Sequence, residues 1–291
     1  MTGADLPHAG RVALVTGGAG AIAGAICRRL ADEGADVVVA DRDADRTDAV
    51  VSDVEARGRR GVGVVADLTD DGAVERAVET AASALGGVDI LVNALGEHLW
   101  LAKPFERSTP DDWDALYRVN LLATMRASHA ALPLMQARGW GRIVNFSSVE
   151  GIRAMPNAAP YTAFKAAIDG FTRSLAVEVA RSGIRVNAIA VDKTRSHQVG
   201  FYRLGEEWER HVPVWVPAGR YGEPDDVAAV ASFLVSDAAG WIVGQTIAAD
   251  GGTLAAGGWY PTPTRWTNSP LLVQYFDDDP EANRRRPPML R

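Results

Sequence analysis

Short apolar runs alternate along the chain with longer stretches in which apolar positions recur every three to four residues. Arg11 to Thr16 (R-V-A-L-V-T) has the pattern of a buried strand. A glycine-rich turn follows, G-G-A-G-A-I-A-G from Gly17 to Gly24, and then a helical pattern from about Ile22 to Glu33 that Gly34 ends. Val37 to Ala40 is a second apolar strand, closed by Asp41. Further on, helices are predicted at Thr47 to Arg57, Asp71 to Leu85, Pro110 to Met135 with Pro133 near its end, Pro160 to Arg181, and Asp225 to Ser236. Strands are predicted at Gly61 to Ala66, Val88 to Val92, Arg142 to Ser147, Ile184 to Val191, and Thr246 to Ala249. This alternation predicts an α/β fold, a doubly wound parallel sheet of the Rossmann type in a single domain. Ligands of such sheets bind beyond the carboxyl ends of the strands. Asp41, Asp67, Asn93, Ser148 and Asp192 all fall at strand ends, so the periodicity gathers them at one edge.

The first strand, turn and helix have the chemistry of a phosphate site. Unpaired N–H groups at a helix start bind anions, and glycines let the backbone approach closely. Gly17, Gly20, Ala21 and Ile22 are the candidate contacts. Asp41 ends the second strand about twenty residues on, where a carboxylate accepts hydrogen bonds from ribose hydroxyls and repels a 2′-phosphate. That predicts NAD(H) over NADP(H). Arg42 beside it is the residue that would instead hold the phosphate.

A second stretch runs from Ser148 to Lys165. Tyr161 and Lys165 stand four apart and share one helix face. A free tyrosine, with a pKa of about 10, is too weak an acid for catalysis near neutral pH. A neighbouring ammonium favours the phenolate and is expected to lower that pKa. Ser148, at the end of an apolar strand, can hydrogen-bond a reacting oxygen.

Composition narrows the function classes. The net charge of −7 argues against non-specific nucleic-acid binding. One cysteine, Cys27, excludes an intramolecular disulfide. The chain shows neither a signal-peptide pattern nor an apolar run of membrane-span length, so a cytoplasmic protein is expected. No metal motif stands out. Two stretches break the alternation. Thr194 to Gly222, with His197, Tyr202, Trp208, His211 and Trp215, has the length of a lid. Its aromatic residues suggest an apolar, ring-shaped substrate, or packing of the lid on its own domain. Residues 253–291 read as an extended C-terminal tail, with an acidic run at Asp277 to Asp279 and a basic run at Arg284 to Arg286 that are read as solvated.

Taken together, T-G-G-A-G, A-D-R-D, A-D-L, N-A-L-G, V-N-L, I-V-N-F-S-S-V, Y-T-A-F-K, I-R-V-N-A-I-A, R-Y-G-E-P-D-D-V-A and G-Q-T-I-A-A-D-G-G resemble the short-chain dehydrogenase/reductase family over about Arg11 to Gly252. The resemblance implies a dehydrogenase domain over 1–252. It implies a tetrad of Asn120, Ser148, Tyr161 and Lys165, with Tyr161 as acid/base, Lys165 holding the nicotinamide ribose beside it, and Asn120 holding a relay water. It also implies adenine contacts at Asp67 and Leu68, a ribose contact at Asn93, a carboxamide contact at Thr194, and a homodimer or homotetramer. The departures are Ala21 and Ala23 for the later glycines of the turn, and Val191-Asp192 for the usual Pro-Gly. A positive φ at Ala21 would cost about 1 kcal/mol or more.

The reading that follows is NAD-dependent hydride transfer on a secondary alcohol or ketone of a hydrophobic, cyclic small molecule. The stretch G-E-H-L-W-L-A-K-P-F loosely resembles dehydrogenases of cyclic cis-dihydrodiols, which would put His98 and Trp100 at the substrate. A non-catalytic cofactor-sensing protein is the alternative from another class.

Overall fold

The computed structural model describes residues 6–196, 212–258, 260–261 and 266–267. Its centre is a parallel sheet of seven strands: β1 (Val12–Thr16), β2 (Asp36–Asp41), β3 (Gly61–Val65), β4 (Ile90–Asn93), β5 (Gly141–Ser148), β6 (Ile184–Val191) and β7 (Thr246–Ala249). The spatial order is β3-β2-β1-β4-β5-β6-β7. The chain therefore winds outward from β1 to β3, crosses back to lay β4 beside β1, and winds outward the other way. The reversal between β1 and β4 opens a crevice above their carboxyl ends.

The central strands are largely apolar because helices cover both faces, with buried polar side chains added in β5 and β6 at Arg142, Asn145 and Asn187. Val12 and Leu14 of β1 join a core with α3 (Ala73–Leu85), α5 (Ala123–Arg138) and α7 (Ala159–Val179). Ala13 and Val15 face the other way, into a core with α1 (Ala21–Asp32), α2 (Ala44–Glu55) and α9 (Pro224–Val235). Buried leucine, isoleucine and valine side chains of this kind contribute about 1.5–3 kcal/mol each. The remaining helices are α4 (Pro110–Tyr117) and three single turns: α6 (Glu150–Arg153), α8 (Val212–Trp215) and α10 (Thr253–Ala256).

Element ends differ from the periodic reading where polar side chains decide them. α2 starts three residues early because the Asp43 carboxylate accepts the Arg46 N–H and caps it. The single helix expected from Pro110 to Met135 is divided. α4, capped by Thr109 and Asp112, runs into a π-helical turn at Arg118–Leu122 before α5 begins. The Asn120 side chain donates to the Leu116 carbonyl at 3.0 Å, the acceptor that the Asn120 backbone N–H would use in an α-helix.

Of the expected lid, residues 194–196 and 212–222 are described. Its two ends are joined: Thr194 bridges Gly222, the Gly222 N–H donates to Lys193 O at 3.0 Å, and the Arg195 N–H donates to Gly222 O at 2.8 Å. Trp215 packs on Val212, Val216 and the buried Tyr221, so this aromatic packs the lid stem on itself. His197, Tyr202, Trp208 and His211 lie outside the described residues. In the tail, α10 and an antiparallel pairing of Tyr260–Pro261 with Trp266–Thr267 are described. The two charge runs lie outside. Among the described residues no helix is long and apolar enough to cross a membrane.

Candidate active site

A cleft of about 620 Å³ runs along the carboxyl edge of the sheet, from the glycine turn to the ends of β5 and β6. The turn is built as the sequence suggests. Gly17 has φ +67°, and a β-carbon there would lie 3.0 Å from the Leu95 backbone. Gly20 precedes α1 with extended backbone and no side-chain cap, which leaves the first N–H groups of the helix to a ligand. Ala21 opens α1 with helical backbone and is not among the residues with positive φ. The strain considered for Ala21 does not arise, because the left-handed position falls on Gly17. Gly17, Gly20, Ala21 and Ile22 all line the cleft, and the methyl of Ala23 packs into the adjoining core. The cradle fits a dinucleotide phosphate.

Asp41 ends β2 beside this turn. Its carboxylate accepts the Ala19 N–H at 3.2 Å and the Asp43 N–H at 3.1 Å, which ties the turn to the strand end. Arg42 is largely exposed, 4.0 Å from Glu97. Asp67 and Leu68 line the same cleft, with Asp67 near enough to feel the Arg42 charge. The Thr69 hydroxyl donates to Asp67 at 2.7 Å and holds its carboxyl below the usual pKa range.

Asn93 departs from its expected place. It does not line the cleft. Its side chain is buried and donates to Asn145 Oδ1 at 2.9 Å and to Ser128 Oγ at 3.2 Å, joining β4 to β5 and α5. The neighbours Ala94, Leu95 and Gly96 line the cleft instead.

Asn120 and Lys165 meet over Gly96. A β-carbon at Gly96 would lie 2.7 Å from Lys165 Nζ and 3.1 Å from Asn120 Oδ1. Asn120 is fully buried and outside the cleft lining; its amide donates to Glu97 O at 2.8 Å and accepts the Glu97 N–H at 3.1 Å. Lys165 lines the cleft and donates to Phe146 O at 2.9 Å. Burial brings its pKa down to about 8.

Ser148 ends β5, and Tyr161 stands one turn before Lys165 on α7, with the Ser148 hydroxyl near enough to act on the phenol. The expected lowering of the Tyr161 pKa is not seen. Burial pushes it up to about 12, the Ser148 hydroxyl lowers it, and the carboxylates of Glu150 and Asp192 raise it further. Lys165 Nζ is 5.8 Å from the phenol ring centroid and is engaged by Phe146, so it does not offset the burial.

Beyond β6, Thr194 is buried against the cleft and donates to Asp192 O at 3.1 Å. Asp192 and Lys193 line the same end. So does His98, whose Nδ1 accepts the Trp100 N–H at 2.9 Å and whose ring stands edge-on to Tyr161 at 6.5 Å. Trp100 itself is 67% exposed and outside the lining. Sequence reasoning missed Gly96 and Glu150 as cleft residues; the glycine in N-A-L-G was the available signal for the first.

The chain is similar to known proteins along nearly the whole described core. A family model described as Enoyl-(Acyl carrier protein) reductase matches residues 17–253. A (2S)-[(R)-hydroxy(phenyl)methyl]succinyl-CoA dehydrogenase subunit of Thauera aromatica is 38% identical, over 83% of this chain and 96% of its own length. A 4-formylbenzenesulfonate dehydrogenase of Comamonas testosteroni is 37% identical, over 83% of this chain and 97% of its own. Among solved structures, a gluconate 5-dehydrogenase from Burkholderia cenocepacia J2315, in complex with NADP and tartrate, superposes with a TM-score of 0.79 at 33% identity. That match covers 85% of this chain and 96% of that one.

Proposed function

Because the chain belongs to the short-chain dehydrogenase/reductase family and is thus an oxidoreductase of alcohols and ketones, we propose that it moves a hydride between NAD(H) and a secondary alcohol or ketone of a hydrophobic, cyclic small molecule. The observation that carries this is the sharing of one cleft: the Gly17–Ala23 turn and Asp41 at one end, Ser148, Tyr161 and Lys165 at the other.

The nicotinamide supplies the hydride when bound. Gly17, Gly20, Ala21 and Ile22 hold its phosphates, Asp41 its adenosine ribose, Asp67 and Leu68 the adenine, and Thr194 the carboxamide end. Lys165 orients the second ribose. Ser148 receives the substrate oxygen, and Tyr161 passes the proton to or from it. A phenol at about 12 is fully protonated at neutral pH and suited to giving a proton to a carbonyl. Asn120, held by the Glu97 backbone, would hold the water that relays the proton between Lys165 and solvent. Asn93 holds the strands that carry these groups and makes no cofactor contact in this reading.

NAD(H) is preferred over NADP(H) because the Asp41 carboxylate is fixed at the ribose position and Arg42 is drawn toward Glu97. The gluconate dehydrogenase was solved with NADP, so the proposed preference rests on Asp41 and Arg42 of this chain alone. The names of the two relatives contain a phenyl and a benzenesulfonate group. The substrate end, lined by His98, Leu99, Met155 and Val191, suits such a ring. His98 at the cleft also favours a cis-dihydrodiol as a second substrate class. The unstrained Ala21 removes one ground for a non-catalytic reading. Residues 1–252 form the dehydrogenase domain, 194–222 its lid and 253–291 an extended tail, in a cytoplasmic homodimer or homotetramer.

The test is a fluorescence titration with NADH and NADPH, followed by turnover of 1-phenylethanol with NAD⁺. Tyr161→Phe should abolish turnover and leave NADH binding intact. Equal turnover by both proteins would overturn the assignment.

A further inference from the structure

The loops that follow β5, β6 and β7 meet beside Ser148 in one ion cluster. Arg153 Nη2 donates to Glu150 Oε1 at 2.8 Å and to Asp192 Oδ2 at 2.9 Å, and its Nε donates to Glu150 Oε2 at 3.3 Å. The Thr253 hydroxyl, at the start of α10, donates to the same Asp192 oxygen at 2.8 Å. The Asp192 and Glu150 side chains are 8% and 16% exposed and the Arg153 side chain 33%, so the two carboxylates are sheltered while the guanidinium that joins them meets solvent on one side.

Each carboxylate adjoins a group that holds Ser148. The Glu150 N–H donates to Ser148 Oγ at 3.2 Å. Ser148 Oγ lies 3.5 Å from the carbonyl of Val191, the residue before Asp192. Arg153 thus joins the two backbone segments that bracket the Ser148 hydroxyl, and that hydroxyl is near enough to the Tyr161 phenol to act on it. α6, which carries Arg153, also packs on α7, which carries Tyr161.

The backbone supports a purpose for this pairing. Ala154 follows Arg153 with φ +99°, and Lys193 follows Asp192 with φ +43°. Neither is glycine, and such conformations persist only where surrounding interactions hold them. Both arms of the pairing therefore end in strained backbone. Asp192 is also a position at which the chain departs from the usual Pro-Gly, so the arrangement belongs to this sequence.

We propose that Arg153 is a positioning residue: its double pairing with Glu150 and Asp192 sets the Ser148 hydroxyl against Tyr161. The kinetic consequence rests on the hydride-transfer reading given above, whereas the geometric one does not. Arg153→Met removes both pairs, and Arg153→Lys keeps the charge without the fork.

Two measurements separate the claims. In turnover of 1-phenylethanol with NAD⁺, Arg153→Met should lower kcat about tenfold or more with the KM for NAD⁺ within about twofold, and Arg153→Lys should recover part of the loss. In protein carrying [ζ-¹³C]tyrosine, with the Tyr161 signal assigned through Tyr161→Phe, Arg153→Met should move that signal in the direction that Ser148→Ala moves it. A signal unmoved in both Arg153 variants overturns the proposal, whether or not the wild type turns over. Equal loss in kcat and cofactor binding, without rescue by lysine, also overturns it. A moved signal in a protein that turns over nothing sinks the hydride-transfer reading and leaves the positioning role standing.

Discussion

Lys165 donates its ammonium to the Phe146 carbonyl at 2.9 Å and keeps it 5.8 Å from the centre of the Tyr161 ring. The lysine and the tyrosine therefore titrate away from each other, to about 8 and about 12. Between pH 8 and 10.5 the unfolded chain keeps a lysine proton that the native state has released, so stability should rise with pH through that window. For Tyr161 the sign is opposite, and stability should fall between pH 10 and 12. The depressed lysine corresponds to a net cost of about 3 kcal/mol for the charged form at pH 7 relative to the neutral amine. Lys165→Met should abolish turnover yet match or exceed the wild type by up to about 1 kcal/mol in urea unfolding at pH 7. The difference should shrink toward pH 10. A variant several kcal/mol less stable at pH 7 would contradict the burial argument.

Gly96 tests the space that Lys165 and Asn120 share. Gly96→Ala places a methyl against the ammonium and the amide. The lysine end can shift, so the fold should survive with a melting temperature close to wild type. A displaced ammonium should lower kcat about tenfold to a hundredfold. Unchanged kinetics would mean that the position of Lys165 Nζ is not critical.

Asp41→Asn removes the charge at the end of β2 while leaving an oxygen for the turn. The preference for NADH over NADPH should narrow about tenfold, equivalent to about 1.4 kcal/mol. Paired fluorescence titrations measure it directly. A ratio equal to wild type would shift the credit for specificity to Arg42.

Asn93→Ala should act on stability and not on binding. It leaves the buried Asn145 carbonyl oxygen without its donor, at a cost of about 1–3 kcal/mol. The dissociation constant for NADH should stay within about twofold of wild type, measured well below the new melting temperature. A large loss of affinity with unchanged stability would return Asn93 to the cofactor.

The strands were legible because burial on both faces leaves apolar runs such as Val12 to Val15 and Val37 to Ala40 with no polar interruption. Tyr161 and Lys165 were legible from helical spacing, and Asp41 and Ser148 from their places at strand ends. Strand ends mislead by one residue, however. They fix an edge of the sheet but not the direction of a side chain, and Asn93 turns into the core while Ala94 meets the cleft. The π-helical turn left no trace in the periodicity, because it goes with one side-chain bond, from the Asn120 amide to the Leu116 carbonyl, which an apolar pattern does not record. Arg153 was equally silent: its partners come from two loops, and an exposed arginine after an isoleucine carries no pattern. The Tyr161 pKa was misjudged for the same reason, since proximity on a helix says nothing about burial or about the carbonyl that captures the lysine.

The bridge between Thr194 and Gly222 brings the two ends of the expected lid together. The neck is held by the hydrogen bonds of Lys193 and Arg195 with Gly222, and the returning arm by the Ala218 N–H donating to Gly251 O at 3.0 Å and by Arg220 pairing with Asp226. Lengthening a loop between fixed ends costs little, about 0.6 kcal/mol for each doubling. Length between the two ends is therefore cheap to change, whereas the returning arm, which meets Gly251 and Asp226, is held in register with the last strand and α9.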